Sequence, residues 1–283
     1  MIYRFYLRNG IYLIVFLFAM GKMYAQPVRY SAANAHAHND YEHNVPFVQA
    51  FHLGFGSIEA DVILENDSLY VGHQQSDILT KPLFFERDYI VPLYRELQQS
   101  QDASRSVILL IDLKTEALAT LTKVISIIEK YPLLTKSSGV QFVITGNQPP
   151  PSAFDQYPGF IYFDGNISNP GHLRHLKRIA LFSDNFRNYS KWKGKGNIRS
   201  KEKRVLGNVI DKVHAMGKRI RFWGCPDNPH VWSVFMKMGV DYINTDHIGQ
   251  LADFFKSHQV SAAESADDAV ALTVTNASVN ASK

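Results

Sequence analysis

The chain has 283 residues, of which 46% are hydrophobic and 20% charged, with a single cysteine and a formal net charge of +4. Cys225 has no second cysteine to pair with, so an intramolecular disulfide is excluded and the fold must rest on its hydrophobic core. The size suits one large domain.

Residues 1–25 have the layout of a cleaved secretory signal peptide. Arg4 and Arg8 precede the apolar stretch from Ile11 to Met20, and Tyr24-Ala25-Gln26 offers a small residue at a cut. An apolar core of about ten residues is short against the roughly 20 needed for a membrane span. An uncleaved anchor is the alternative, because bulky Met23 stands at the −3 position. Cleavage implies a secreted or periplasmic protein. The segment holds Arg4, Arg8 and Lys22 and no acid, so 30 basic and 26 acidic residues become 27 and 26, a net charge of +1. The basic character therefore belongs to the leader and gives no support for a nucleic-acid partner.

The folded domain is expected over residues 26–258. Eight short apolar runs recur: Ala32–His38, Ser57–Leu64, Val107–Leu113, Val140–Thr145, Phe160–Asp164, Ile179–Ser183, Arg219–Trp223 and Asp241–Asn244. An extra strand, Ser68–Gly72, pairs back on the second run through the turn Glu65-Asn66-Asp67. Helical periodicity fills the intervals, with stripes at Leu118, Leu121, Ile125 and Ile128, at Val205, Val209 and Val213, and at Trp232, Phe235 and Met236. Gly239 stands as a stop behind the last of these. Eight strand–helix units predict an α/β fold, a single-domain (β/α)8 TIM barrel. An open doubly wound sheet is the alternative, disfavoured because no Gly-rich dinucleotide loop follows the first run. Residues 259–283, rich in Ala, Ser, Asn, Thr and Val, are expected to be a disordered tail.

Barrel enzymes place their chemistry where strands end. Here His38, Asp61, Asp112, Lys114, Asn147, Asp164, Ser183, Asp184, Trp223, Asn244 and Asp246 fall at or just beyond the C-terminal ends of the runs. Glu59 and Asp61 are two residues apart in an apolar strand and so share a face, with Ala60 on the other. Two anions that close call for a cation. Asp112 and Lys114 repeat the spacing, and on their own they read most simply as a salt bridge at the rim. Beside Glu59 and Asp61, Asp112 completes a three-carboxylate oxygen shell suited to Mg²⁺ or Ca²⁺, with Lys114 left to neutralise phosphate oxygens. His38 and His73 are the candidates for proton transfer. Asn39, Asn147, Trp223 and Asn244 are candidates for substrate contacts at the rim. His43, His52, His172, His175, His214, His230 and His258 are assigned no role.

His38-Asn39-Asp40-Tyr41, Ser57-Ile58-Glu59-Ala60-Asp61-Val62, Val71-Gly72-His73 and Ile111-Asp112-Leu113-Lys114-Thr115 resemble the phosphatidylinositol phospholipase C-like phosphodiesterase superfamily, which includes glycerophosphodiester phosphodiesterases and sphingomyelinases D. Arg221-Phe222-Trp223-Gly224 and Gly239-Val240-Asp241 with Asn244-Thr245-Asp246 resemble its branch named for the altered inheritance of mitochondria protein. The resemblance covers most of Ala35 to Ile248. It implies Glu59, Asp61 and Asp112 as metal ligands, His38 and His73 as an acid–base pair, and a phosphodiester small molecule or phospholipid as substrate. It also implies attack by a hydroxyl next to the phosphate, or by water. Two departures stand out. Asn39 replaces the arginine that usually follows the first histidine of glycerophosphodiesterases, and Asp112 replaces their usual glutamate.

Two other readings compete. His36-Ala37-His38 fits a metal-dependent amidohydrolase or related phosphoesterase barrel, although the middle runs lack the further histidines that pattern wants. A barrel that binds a head group without catalysis is the other. The basic stretch from Arg187 to Arg204, with Tyr189 and Trp192, suits contact with an anionic membrane surface or, more plainly, a solvated loop.

Overall fold

The computed structural model describes residues 30–80, 82–99 and 105–258. The expected leader and tail lie outside these residues. Ten strands are described: β1 (Ala35–Ala37), β2 (Ser57–Glu65), β3 (Ser68–Val71), β4 (Leu83–Phe84), β5 (Val107–Leu113), β6 (Val140–Gly146), β7 (Ile161–Gly165), β8 (Ile179–Asn185), β9 (Arg219–Trp223) and β10 (Ile243–Thr245). Eight of them lie side by side in the order β10-β1-β2-β5-β6-β7-β8-β9, every pairing parallel. A parallel bridge between Arg221 and Tyr242 joins the two ends and closes the ring. This is the expected (β/α)8 barrel, and the open sheet is set aside.

The hairpin read from Glu65-Asn66-Asp67 is present: β3 runs antiparallel to β2, and β4 extends it. Asn66 and Asp67 both take positive φ, the backbone a tight hairpin turn demands and Asn/Asp tolerate best. Ala32–Asn34 forms a 3₁₀ turn instead of strand, capped by the Ser31 hydroxyl, so β1 is shorter than its apolar run.

The two long helices bury only part of each stripe read from sequence. In Ala117–Ile128 the buried apolar positions are Leu121, Val124, Ile127 and Ile128, while Leu118 is exposed. In Ser200–Ala215 they are Leu206, Ile210 and Val213, while Val205 is exposed. Valine and leucine on an otherwise polar helix mark a helix but do not set its rotation; packing against the strands does. Trp232 and Phe235 are buried as expected, and Gly239 caps Pro229–Met238 at φ 83°. Between β6 and β7 no α-helix forms. Pro149, Pro150 and Pro151 leave only the 3₁₀ turn Pro151–Gln156, since proline supplies no N–H to an α-helical ladder.

Period-two alternation divides each strand between two environments. On β2, Ile58, Ala60 and Val62 belong to the main core, beneath the helices. On β5, Ile108 and Leu110 join Val143, Leu181 and Tyr242 in a separate buried cluster that plugs the barrel. One step further along the same face stands Asp112. Among the described residues no helix is long and apolar enough to cross a membrane.

Candidate active site

A cleft of about 480 Å³ is lined by His38, Asn39, Glu59, Asp61, His73, Asp112, Lys114, Asp164, His172, Arg221 and Trp223, among others. It opens where the parallel strands end. Asp61 and Asp112 are direct register partners on β2 and β5, which puts the two spacing-of-two motifs side by side. Ligand oxygens of Glu59, Asp61 and Asp112 all lie within 4.8 Å of one another.

Each carboxylate spends one oxygen on the protein and keeps the other. Glu59 Oε2 accepts from Arg221 Nη1 at 2.8 Å and meets His36 Nε2 at 2.7 Å, and Oε1 makes no hydrogen bond among the described residues. Asp61 Oδ2 accepts from Lys114 Nζ at 2.9 Å and Tyr41 Oη at 3.1 Å, and lies 3.0 Å from His73 Nδ1; Oδ1 is buried and unpartnered. Asp112 Oδ2 accepts from Lys114 Nζ at 2.8 Å, leaving Oδ1. A buried, unpartnered carboxylate oxygen is costly unless something positive meets it. The donor set, three hard oxygens from three acids, fits Mg²⁺ or Ca²⁺.

The electrostatics agree. Burial, then the Glu59 and Asp112 charges, push the Asp61 carboxyl above its ordinary range, against the pull of Lys114. Burial also opposes ionisation of Glu59, but the Arg221 guanidinium and His36 outweigh it and hold that carboxyl well below its usual range. Burial works against the Lys114 charge too, yet Asp61 and Asp112 hold it above the usual lysine range. Asp112 and Lys114 thus do form the salt bridge that is the plainer reading of their spacing, and Lys114 ties Asp61 to the same cation.

The two candidate acid–base histidines are each steered through Nδ1 by a carboxylate. His38 Nδ1 lies 2.6 Å from Asp246 Oδ1, leaving Nε2 free for proton transfer. Burial lowers the His38 pKa, but Asp246 and Glu59 overcome it, and the net shift is upward. His73 is held by Asp61 and by its backbone: the His73 and Gln74 N–H groups both donate to Asp77 Oδ2 at 2.9 Å. Asp77 carries no sequence signal of its own. Two bonds from consecutive N–H groups reveal it only once the chain is folded.

Other expectations need correction. His36 is not poised to ligate a metal. It is fully buried between Ser57 Oγ (2.8 Å from Nδ1) and Glu59, in contact with Arg221, and its pKa is lowered to about 3 by burial and then by Arg221. It orients a carboxylate, and the His-x-His reading loses its second ligand. Asn39 and Trp223 line the cleft, but Asn147 and Asn244 do not. Gly146, at φ 73°, swings the chain round, so Asn147 Nδ2 donates to Thr115 O at 3.1 Å. The Asn244 side chain lies beneath Arg221, its Oδ1 accepting from Nη1 at 3.3 Å. His172, given no role in the sequence, is buried in the cleft wall.

Arg221 is the main residue that sequence reasoning left without a role. It is 3% exposed and reaches Glu59, Ser183 and Asn244 at once. Its place inside the β9 run Arg219–Trp223 was the available signal: an arginine between Ile220 and Phe222 points opposite to both. Gly146 is the other. A side chain there would collide with the Asp112 carboxylate and the Leu113 carbonyl, so only glycine leaves room for the acid.

Comparison with known proteins finds similarity to phosphodiesterase-like families. The AIM6-like phosphodiesterase domain family matches residues 28–142, and the glycerophosphoryl diester phosphodiesterase family matches residues 219–249. Altered inheritance of mitochondria protein 6 of Eremothecium gossypii is 27% identical over 272 residues, covering 77% of this chain and 68% of that protein. A homolog from Arthroderma benhamiae is 26% identical, covering 78% and 83%. Among solved structures, a glycerophosphodiester phosphodiesterase from Parabacteroides distasonis superposes with a TM-score of 0.56 at 14% identity, over 80% of this chain and 98% of that one. A calcium-dependent phosphoinositol-specific phospholipase C from a Pseudomonas species gives 0.51 at 11%, over 78% and 91%. At such identities these two structures speak to the fold alone.

Proposed function

For a chain that belongs to the phosphatidylinositol phospholipase C-like phosphodiesterase superfamily, on its AIM6-like branch, we propose that the cleft is a metal-dependent phosphodiesterase centre acting on a glycerophosphodiester or phospholipid head group. One observation carries the reading. Three carboxylates each keep an oxygen for a cation, and two histidines stand beside them, each oriented by an acid.

Glu59, Asp61 and Asp112 would hold the cation, which when bound supplies positive charge to the phosphoryl oxygens. His73, steered by Asp61, takes the proton of the attacking hydroxyl, whether the substrate's own or water. His38, whose raised pKa favours the protonated form, gives a proton to the departing alcohol oxygen. Lys114 stands at the mouth of the acid cluster and balances charge on the phosphate. Arg221 is spent on Glu59 and sets that carboxylate's direction. The test is hydrolysis of a phosphodiester with and without chelator, alongside His38→Ala and His73→Ala. Loss of roughly 10²- to 10⁴-fold in kcat for each is expected. Activity indifferent to the chelator and to both substitutions refutes the proposal.

A specific observation also favours approach to an anionic surface. Lys191, Lys193, Lys195, Lys201 and Lys203 are exposed and form no ion pair among the described residues, while Trp192 is buried and anchors the loop. The loop packs beyond the end of β9, with Gly194 against Pro226 and Gly196 O accepting from His230. Retention on vesicles containing phosphatidylglycerol but not on pure phosphatidylcholine, lost in high salt, is expected. Equal binding to both vesicle types overturns it.

A further inference from the structure

The loop that leaves β1 is held from behind by a buried acid that the proposed chemistry does not touch. Asn39 takes a left-handed backbone, φ 47°, and opens the 3₁₀ turn Asp40–Glu42 without capping it through its side chain. Its Oδ1 instead accepts from the Tyr41 hydroxyl at 3.0 Å, and the same hydroxyl reaches Asp61 Oδ2 at 3.1 Å. Asp40 is fully buried. Its Oδ2 accepts from the Phe47 N–H at 2.5 Å and from the Tyr89 hydroxyl at 3.1 Å, while its Oδ1 makes no hydrogen bond among the described residues. Phe47 stands at φ 62°, ψ −59°, the centre of a tight turn in which the Val48 N–H donates to Pro46 O at 2.7 Å. That backbone is rare and strained for a residue with a side chain, so the surroundings must impose it. Asp40 supplies one constraint. The buried Phe47 ring, stacked on Phe51 and edge-on to Tyr89, supplies another. Tyr89 lies in the five-residue π-helical turn Glu86–Ile90. One carboxyl therefore ties together the start of the loop, its end and a second excursion of the chain.

We infer that Asp40 is a positioning residue for the carboxylate cluster: by fixing the loop after β1 it holds the Tyr41 hydroxyl on Asp61 Oδ2 and so keeps Asp61 Oδ1 turned to a cation. Three groups meet Asp61 Oδ2, each from a different part of the chain. The His73 side chain is 66% exposed, and Lys114 shares its charge with Asp112. Tyr41 is 7% exposed and has the least freedom of the three. It is also neutral. Burial, then the Asp61 charge, push its pKa upward, so the hydroxyl keeps its proton and remains a donor. A neutral donor orients a carboxylate without adding positive charge that would repel a cation. Its aim depends on the 3₁₀ turn, and the turn depends on the grip of Asp40 on Phe47 and Tyr89.

This inference rests on the metal-site reading, and calorimetry with Mg²⁺ or Ca²⁺ alone, on the chelator-stripped full chain without substrate, separates the two. Tyr41→Phe should weaken binding about tenfold, within the range that groups behind a metal ligand command. Asp40→Ala, which takes the acceptor from the Phe47 N–H and the Tyr89 hydroxyl, should weaken it by a similar factor. Asp40→Asn keeps an acceptor oxygen for both donors and should restore most of the loss. Adding Tyr41→Phe to Asp40→Ala should cost little more than either change alone, because both act through one hydroxyl. A merely structural Asp40 would lower the urea midpoint and leave the cation affinity of the folded protein as it was. Where Asp40→Ala does not fold, Tyr89→Phe removes one of the two bonds and should weaken binding about threefold. Unchanged affinity in Asp40→Ala, or in Tyr89→Phe where the first does not fold, overturns the inference and leaves the metal-site reading standing. So do single effects that multiply in the double variant. A wild type that binds neither cation refutes both.

Discussion

On the β1–β2–β5 wall of the cleft the chemistry comes in pairs two residues apart, Glu59 with Asp61 and Asp112 with Lys114. On the β7–β8–β9 wall the cleft takes one polar side chain from each strand, Asp164, Ser183 and Arg221. The first wall concentrates negative charge and is built around what will neutralise it. The second holds single groups whose partners come from distant strands, as when β9 sends Arg221 across the barrel to Glu59 on β2. Paired spacing therefore announces a charge cluster, whereas a lone polar residue acquires meaning only from what closure of the barrel puts opposite it.

Cutting the tie between the walls should have the largest effect. Arg221→Ala leaves the Glu59 carboxylate buried without its main counter-charge, an expected loss of about 3–5 kcal/mol in urea unfolding. Arg221→Lys should not restore it fully, because the guanidinium also donates to Ser183 and Asn244. Gly146→Ala tests the first wall from behind, by pushing on Asp112. About a 10- to 100-fold fall in divalent-cation affinity is expected by calorimetry, with the fold intact by circular dichroism. Asp246→Asn should cost roughly tenfold in kcat and move the alkaline limb of the pH–rate profile to lower pH. Asp246 helps hold the His38 pKa up, so its neutralisation lets His38 lose its proton earlier.

The smallest effect concerns pH and stability. His36 is held neutral, its pKa near 3 when folded against 6.5 unfolded. Below 6.5 the unfolded chain binds the extra proton, so the stability that neutral His36 confers is full above that pH and fades as the pH falls towards 3. Asp40 and Asp164, pushed up mainly by burial to about 7 and 6, act in the opposite sense over much of the same window. The expected signature is therefore a difference. The gap in unfolding free energy between wild type and His36→Asn widens with rising pH by at most about 1.4 kcal/mol per unit, and levels off above pH 6.5. A gap independent of pH would mean that His36 titrates alike in both states.

Much of the fold was legible because strand formation leaves a local mark. Val107–Leu113 is apolar enough to be read as a buried parallel strand without any neighbour, and β5 coincides with it. The turn Asn66-Asp67 and the stop at Gly239 were equally local. Helix rotation was not. Leu118 and Val205 look like core residues in a periodic pattern, yet the strands they pass claim the adjacent face. Within the site, Glu59, Asp61, Asp112 and Lys114 do meet, since register carries their spacing directly into space. Asn147 was misplaced because one left-handed glycine turns the chain, and His172 was passed over because its partner Asn166 gives no periodic signal.

The sequence by itself determined that the strands end in polar groups and that two of them carry charged pairs on one face, because a period of two is a property of the extended backbone alone. Only the tertiary structure decided which oxygens of those acids remain free, that His36 props Glu59, and that Arg221 crosses the barrel to the same carboxylate. Those outcomes depend on where Arg221, Lys114 and Gly146 come to rest, and closure of the barrel brings together His38 and Asp246, 208 positions apart.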